Sequence, residues 1–269
     1  MAECLLCNDD RIRIASKGEY AVSQRCACQS PCPQCNGSGY FYDTDPHGYR
    51  IASPCHCIRI DQRSKIFNDA RLPARYAHAE FTQIKTDARS DMASARRKAL
   101  RFSREYEPGS KGLLFHGSVG TGKTFISVAI LRYLIVNRGV KAKFMEFMHL
   151  LSDLRQTFGD RNQADNLMQP LVDIPVLVID ELGKGRGSDW ELSVLDELIS
   201  KRYNAQKTTL FTTNYSIELP QPGASMDSET LVDRVGMRIY SRLMEMCEPV
   251  RISGVDRRRP LSDHRSRTG

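Results

Sequence analysis

From Gly112 onward the chain alternates between short unbroken apolar runs and longer stretches with apolar residues every three or four positions. Leu113-Leu114-Phe115 and Val176-Leu177-Val178-Ile179 carry no polar alternation, which suits strands buried on both faces of a parallel sheet. Ile126, Val128, Ala129, Ile130 and Leu131 open a helical pattern instead. The patterning predicts strands at 112–116, 141–147, 175–180, 208–213 and 249–252, and helices at 123–137, 149–168, 190–205 and 229–246. Such alternation implies an α/β fold, a parallel sheet covered by helices on both faces. The seventeen residues after 252 are too few for a helical lid domain. Upstream, Met92, Ala95, Ala99, Phe102 and Tyr106 form an apolar stripe ending at Pro108-Gly109. The expected organisation is a small cysteine-rich module (1–60), a helical linker (61–111), an ATPase core (112–259) and a basic tail without fixed structure (260–269).

The first strand leads into Gly117-Ser118-Val119-Gly120-Thr121-Gly122-Lys123-Thr124, a G-x-x-x-x-G-K-[ST] sequence between strand and helix. Such a loop turns successive backbone N–H groups onto phosphate oxygens, and the next helix aims its positive end at the same anion. Lys123 is expected to reach the β- and γ-phosphates of a nucleotide, and the Thr124 hydroxyl to ligate magnesium. No N-K-x-D guanine-reading sequence occurs, which favours ATP over GTP.

The 175–180 run ends in Asp180-Glu181, acids at the carboxyl end of a strand, where ligands bind in open α/β sheets. Asp180 is expected to hold magnesium through water, and Glu181 to polarise the attacking water as general base. Asn214 ends the next strand, where its amide would orient that water or sense the γ-phosphate; asparagine is also a common turn residue at strand ends.

Eight of nine cysteines fall in the first 57 residues, with a repeating spacing. Cys4-x-x-Cys7 is followed by Cys26-x-Cys28, and Cys32-x-x-Cys35 by Cys55-x-Cys57; asparagine follows the second cysteine of each half (Asn8, Asn36). Two copies of one unit, each closing a tetrahedral four-sulfur zinc site at the base of a hairpin, two Zn²⁺ in all, is the economical reading. Two pairings satisfy the spacing: each half closes its own site, or Cys4/Cys7 meet Cys55/Cys57 while Cys26/Cys28 meet Cys32/Cys35. His56 is a further candidate ligand, and Cys247, alone in an apolar helical context, reads as core packing.

Charged residues make up 26% of the chain and no apolar run approaches the length of a membrane span. The N-terminus lacks a secretory pattern, so a cytoplasmic location is expected, where thiols stay reduced or bind metal. Eight thiolates and two zinc ions would lower the formal +7 to about +3. Residues 1–60 carry six basic and six acidic side chains, so the zinc-loaded module is acidic and reads as a protein-contact surface. Positive charge lies in Arg96-Arg97-Lys98 and Arg257-Arg258-Arg259, each either a solvated face or a nucleic-acid contact.

From about Arg71 to Arg259 the chain resembles the DnaC/DnaI-type helicase loaders and their transposition relatives, the IstB-like ATPases, in the AAA+ superfamily. The resemblance rests on 117–124, Val-Leu-Val-Ile-Asp-Glu-Leu-Gly (176–183), Leu-Ile-Ser-Lys-Arg-Tyr-Asn-Ala (198–205), Thr-Thr-Asn (212–214) and Arg-Ile-Tyr-Ser-Arg-Leu (238–243). It implies a homo-oligomeric, ATP-driven ring or spiral that remodels a replicative helicase onto single-stranded DNA. It also implies that Asn214 is the sensor residue and that an arginine near the end of the 229–246 helix reaches a neighbour's ATP. Arg242 fits that position first, with Arg238 and Arg234 behind it, and Arg258 fits the late arginine that contacts the γ-phosphate in cis. The Bacillus-type loader carries a zinc-binding N-terminal domain that contacts helicase, and the two tandem units here do not match it residue by residue. Cys32-Pro-Gln-Cys35-Asn-Gly-Ser-Gly39 also resembles the C-x-x-C-x-G-x-G knuckle of DnaJ-type cochaperones, but no J-domain His-Pro-Asp occurs, which makes this a shared shape alone.

Three functions fit: helicase loading, recruitment of a transposase, and a zinc-dependent adaptor that uses ATP as a switch. In the first, segment 145–168 would face the channel of the ring, with Phe147, Leu150, Leu151 and Leu154 on a core-packing face. Arg155, Phe158 and Arg161 beyond it would then meet single-stranded DNA, with Arg257–Arg259 as the alternative contact.

Overall fold

The structure, a computed structural model, describes residues 4, 6–7, 10–29, 31–87, 90–157, 160–185, 187–219 and 229–258, without the side chains of Gln29 and Arg161. Phe158, Arg259, the Arg161 side chain and the tail at 260–269 therefore lie outside the described residues, as do Asn8 and the polar stretch around Gly159 in part.

Two antiparallel hairpins come first. β1 (Ile12–Lys17) pairs with β2 (Tyr20–Arg25), and β3 (Tyr40–Thr44) with β4 (Arg50–Pro54). Helix α1 (His56–Asp69) starts within the last cysteine pair, so the boundary drawn at residue 60 falls inside a helix. After it come α2 (Asp91–Glu105), β5 (Gly112–His116), α3 (Lys123–Arg138), β6 (Ala142–Glu146), α4 (Phe147–Gln156) and α5 (Arg161–Asp173). The chain continues through β7 (Val176–Asp180), α6 (Asp189–Asn204), β8 (Thr208–Thr213), α7 (Leu231–Met246) and β9 (Cys247–Arg251).

Strands β5 to β9 form one parallel sheet in the order β6-β7-β8-β5-β9, a P-loop AAA+-like core. Alternate side chains serve its two faces, as strand geometry requires. Leu113, Phe115, Val176 and Val178 join α3 and the apolar stripe of α2 in one core. Leu114, Leu177, Ile179 and Phe211 join α4 to α7 in the other. Met92, Ala95 and Ala99 are buried, as the stripe predicts.

The single helix expected over 149–168 is two helices. Asp160 caps a new one, its carboxylate accepting from the Gln163 N–H at 3.1 Å, while α4 ends at Gln156. A capping aspartate favours a fresh start over continuation. Phe147, Leu150, Leu151 and Leu154 are all buried, and Cys247 is buried with its thiol donating to the Thr209 carbonyl at 3.3 Å.

Arg202 is fully buried without a carboxylate partner among the described residues. Its guanidinium donates to the carbonyls of Leu171 (2.6 Å), Ile174 (2.9 Å) and Thr208 (2.6 Å) and to the Thr209 hydroxyl (2.9 Å). Two of those carbonyls are orphans at the end of α5, so one side chain caps that helix and ties it to β8. Burial pushes this guanidinium down to about 9.

The hairpins differ in setting. β1–β2 packs on the body: the Ala21 N–H donates to Leu72 O at 2.7 Å, the Ser23 and Ser64 hydroxyls lie 2.7 Å apart, and Ala21 is fully buried. β3–β4 is exposed along its whole length, with Tyr40, Phe41, Tyr42 and Ile51 open to solvent and Tyr49 72% exposed in its turn region.

Candidate functional site

After β5 the chain crosses to the far edge of the sheet, returns through β6, β7 and β8, and then places β9 on the other side of β5. The loop leaving β5 therefore sits at the switch point of the strand order, where such sheets bind ligands. Residues 117–122 form that loop, and Gly122, at φ 102°, is the N-cap of α3.

A segment after β9 closes over the loop. The Ile252 N–H donates to His116 O at 2.8 Å, and the Arg257 N–H to Gly120 O at 3.0 Å. A Cβ on Gly120 would lie 1.8 Å from an Asp256 carboxylate oxygen, and one on Gly117 2.2 Å from the Ile252 carbonyl. These glycines thus serve close approach as well as positive φ. Val119 is exposed at the tip, and Thr121 is buried with its hydroxyl donating to Ser118 O at 3.0 Å.

Lys123 lies along the loop, its ammonium donating to the carbonyls of Gly117 (2.8 Å) and Ser118 (2.6 Å). Burial pushes it down to about 8, against the attraction of Asp180. The Thr124 hydroxyl donates to both Asp180 carboxylate oxygens at 3.0 and 3.1 Å. Asp180 is 1% exposed and also accepts from the Thr212 hydroxyl. Burial raises its carboxyl to about 6, with Thr212 and Thr124 opposing. Glu181 follows in a left-handed conformation (φ 57°) that turns its side chain off the strand, where it pairs with Lys184.

These groups meet in one cavity of about 290 Å³. Lys123, Thr124, Glu181, Asn214 and Arg258 line its polar part; Tyr76, Ile84, Met92 and Phe125 line an apolar end, with Gln83 beside them. Sequence reasoning missed this apolar end. Its one available signal was the density of apolar residues between Arg71 and Met92, too rich for a linker that merely connects. Apolar walls beside a phosphate loop suit a flat heteroaromatic base next to its phosphates. The donor set fits magnesium as well, since a hydroxyl and a buried carboxylate converge within hydrogen-bond distance.

The arginines divide. Arg258 lines the cavity and depresses Lys123 electrostatically. Arg257 lines it too, while donating to Lys85 O at 2.8 Å. Arg234 is bound within its own chain to the carbonyls of Gly183 and Gly185. Arg242 donates to Asp196 at 2.7 Å and to the Ser200 hydroxyl, and Arg238, one turn earlier and 72% exposed, reaches the same Asp196 at 3.5 Å. Arg155, expected at DNA, donates to the buried Glu191 at 2.7 Å and lies over the Trp190 ring, because Glu191 sits at the start of α6 facing the end of α4.

The cysteines resolve into two clusters, Cys4, Cys7, Cys26 and Cys28, and Cys32, Cys35, Cys55 and Cys57. In each, the four sulfurs lie within 4.8 Å of one another, so each half closes its own site and the crossed pairing is excluded. Four converging thiols fit tetrahedral zinc. Burial opposes ionisation of Cys35, yet the Gly39 N–H (3.3 Å) and the three neighbouring thiols hold it down to about 6. His56 stays outside the cluster, its Nδ1 3.5 Å from Cys55 Sγ.

With this geometry established, comparison is direct. The sequence profile of the IstB-like ATP binding protein family matches residues 56–264. The chain belongs to that family. Its members are P-loop ATP-binding proteins, and the match begins at the first residue of α1. The chain is 24% identical over 161 residues to the replicative helicase loader DnaC of Escherichia coli K12, covering 60% of this chain and 65% of that protein. It thus spans just under two thirds of the length of that relative. A crystal structure of the DnaC helicase loader superposes with a TM-score of 0.57 at 30% identity, covering 66% of this chain and 99% of the other. A crystal structure of DnaI superposes with a TM-score of 0.53 at 24% identity, covering 69% and 94%, a likeness of fold. No helix among the described residues is long and apolar enough to cross a membrane.

Proposed function

We propose that the chain is an ATP-dependent loader that deposits or remodels a replicative helicase on single-stranded DNA, working in the cytoplasm as a homo-oligomer. The observation that carries this reading is the coincidence of a cavity lined by the phosphate loop, Glu181 and Asn214 with 30% identity to a crystallised DnaC helicase loader, 99% of whose chain is covered.

The chain's own residues suffice for hydrolysis when subunits associate. Lys123 and the loop N–H groups grip the β- and γ-phosphates, and Arg258 meets the γ-phosphate from the same chain. Thr124 and Asp180 would hold magnesium, which when bound would offset the charge of the phosphate oxygens. Glu181 polarises the attacking water and Asn214 orients it. The rest of the charge is met by an arginine of the neighbour, Arg242 or Arg238, released from Asp196 on assembly.

Helicase contact is assigned to the second zinc unit. Its hairpin presents Tyr40 and Tyr42 to solvent on one face, Phe41 and Ile51 on the other and Tyr49 beside the turn, a concentration of exposed large apolar side chains of the kind that marks interaction sites. Zinc held by four thiolates leaves this unit acidic, which favours a protein over a polyphosphate. Size-exclusion chromatography with the cognate replicative helicase and a non-hydrolysable ATP analogue tests the reading. A joint peak that disappears with Tyr42→Ala and Tyr49→Ala supports it; separate peaks under all nucleotide conditions count against it.

A further inference from the structure

We infer that the exposed face of α2 is a phosphate-backbone site for DNA, on the outside of the ATPase core. The inference rests on the reading that the chain works on single-stranded DNA, and of the basic runs the sequence offered it takes up Arg97 from Arg96-Arg97-Lys98 and joins it to Arg101 and Arg104. Of the other suggested contacts, Arg155 is held by Glu191 and Arg257 donates to the Lys85 carbonyl.

Residues 91–105 contain five basic side chains and two acidic ones. At 100° per residue, Arg97, Arg101 and Arg104 fall on one stripe about 60° wide, spread over roughly 10 Å of helix. All three are exposed, and among the described residues none of them carries an ion pair. The two other cations of the helix are engaged: Arg96 donates to Phe81 O at 2.8 Å and Lys98 to Glu248 at 2.6 Å. Arg138, at the end of the helix, donates to Arg104 O at 3.0 Å and is paired with Glu107 at 3.5 Å.

A cavity of about 470 Å³ adjoins the stripe; Lys98, Arg101, Phe102, Tyr106 and Lys111 line it together with two carboxylates, Glu105 and the Glu248 that Lys98 holds. The Phe102 and Tyr106 rings meet edge to face with centroids 6.0 Å apart. Cations in a row grip successive phosphates without reading sequence. An adjacent pocket with aromatic walls takes a base only from an unpaired strand, since paired bases are stacked inward. The same helix begins at the nucleotide cavity, where Met92 lines the apolar end, so strand and nucleotide meet one rigid element at its two ends.

The test is fluorescence anisotropy of a labelled 20-nucleotide strand, and of the same sequence as duplex, at 50 to 200 mM salt with a non-hydrolysable ATP analogue. The full chain is compared with Arg97/Arg101/Arg104→Ala and with a charge-matched control, Arg13/Lys17/Lys65→Ala, whose side chains are also exposed. Three lost phosphate contacts should flatten the log–log salt slope by about 2 for a single strand and weaken binding at 0.1 M salt on the order of 100-fold. The control should bind as the unaltered chain does. Equal loss in both variants would reduce the effect to net charge and overturn the site. Wild-type binding by the α2 variant overturns the site alone and leaves the loader reading standing. Absence of any strand binding by the unaltered chain defeats both the site and the single-strand part of that reading. Preference for duplex, or binding of phosphatidylglycerol vesicles in place of DNA, likewise overturns it.

Discussion

The Thr124 hydroxyl donates to both carboxylate oxygens of Asp180 at 3.0 and 3.1 Å, though 56 residues separate them in sequence. The parallel sheet brings them together, because the loop after β5 and the end of β7 emerge at the same edge with β8 between. One buried carboxylate braced by two hydroxyls is a rigid place to hold a divalent cation. Asp180→Asn keeps the shape and removes the charge. It should leave the fold intact and lower ATP turnover by on the order of 10²–10³. Turnover within threefold of the unaltered chain, at saturating magnesium, would contradict the assignment.

The two zinc units should respond differently to ligand loss. Elemental analysis of the reduced chain should give two zinc per chain, and one or none would contradict the paired clusters. Cys26→Ser loosens a unit whose hairpin is built into the body through Ala21, Ser23 and Asn68. It should lower the melting temperature of the whole chain. Cys35→Ser affects a unit whose hairpin stands free of the core, and should spare ATP binding while abolishing helicase contact. Identical thermal and binding profiles for the two variants would refute this division.

Arg202 caps α5 and joins it to β8 through five acceptors, the Val172 carbonyl at 3.2 Å included. Arg202→Met fills similar space but leaves several buried carbonyls unpaired, each worth about 1–3 kcal/mol. Urea unfolding should show a loss of at least about 3 kcal/mol. A loss under about 1 kcal/mol would mean that water or a backbone shift replaces the clamp.

Much of this was legible in the sequence, for a physical reason. A phosphate loop needs glycines at fixed spacing, and a doubly covered strand needs an unbroken apolar run, so both leave local marks. The strap at 252–258 left none, because its contacts to Gly120 and His116 are made by backbone groups that any residue could supply. The apolar end of the cavity was hidden in a segment that reads as linker, since Tyr76, Ile84 and Met92 converge only after folding. The Glu191 partner of Arg155 was not legible, because charge without geometry cannot distinguish a free arginine from one paired to a buried glutamate. The zinc pairing is decided by the fold, since the repeat suggests that each unit closes its own site but the spacing also admits the crossed arrangement.

Glu181 and the finger arginine are proposed to serve one site from two subunits. Glu181→Gln and Arg238/Arg242→Ala chains should each be inactive, and mixing them should restore part of the activity in hybrid sites. An arginine supplied in trans is worth about 10³–10⁵ in rate in other phosphoryl-transfer enzymes, so recovery should stand well above background. Two variants that never complement would rule out the shared site.

Loading on a closed circle of single-stranded DNA, which offers the helicase no end to thread, decides whether this chain is a loader. Unwinding of an annealed oligonucleotide by the cognate replicative helicase should require this chain and ATP, and should fail with Lys123→Ala. Unwinding at the same rate with and without the chain would contradict helicase loading.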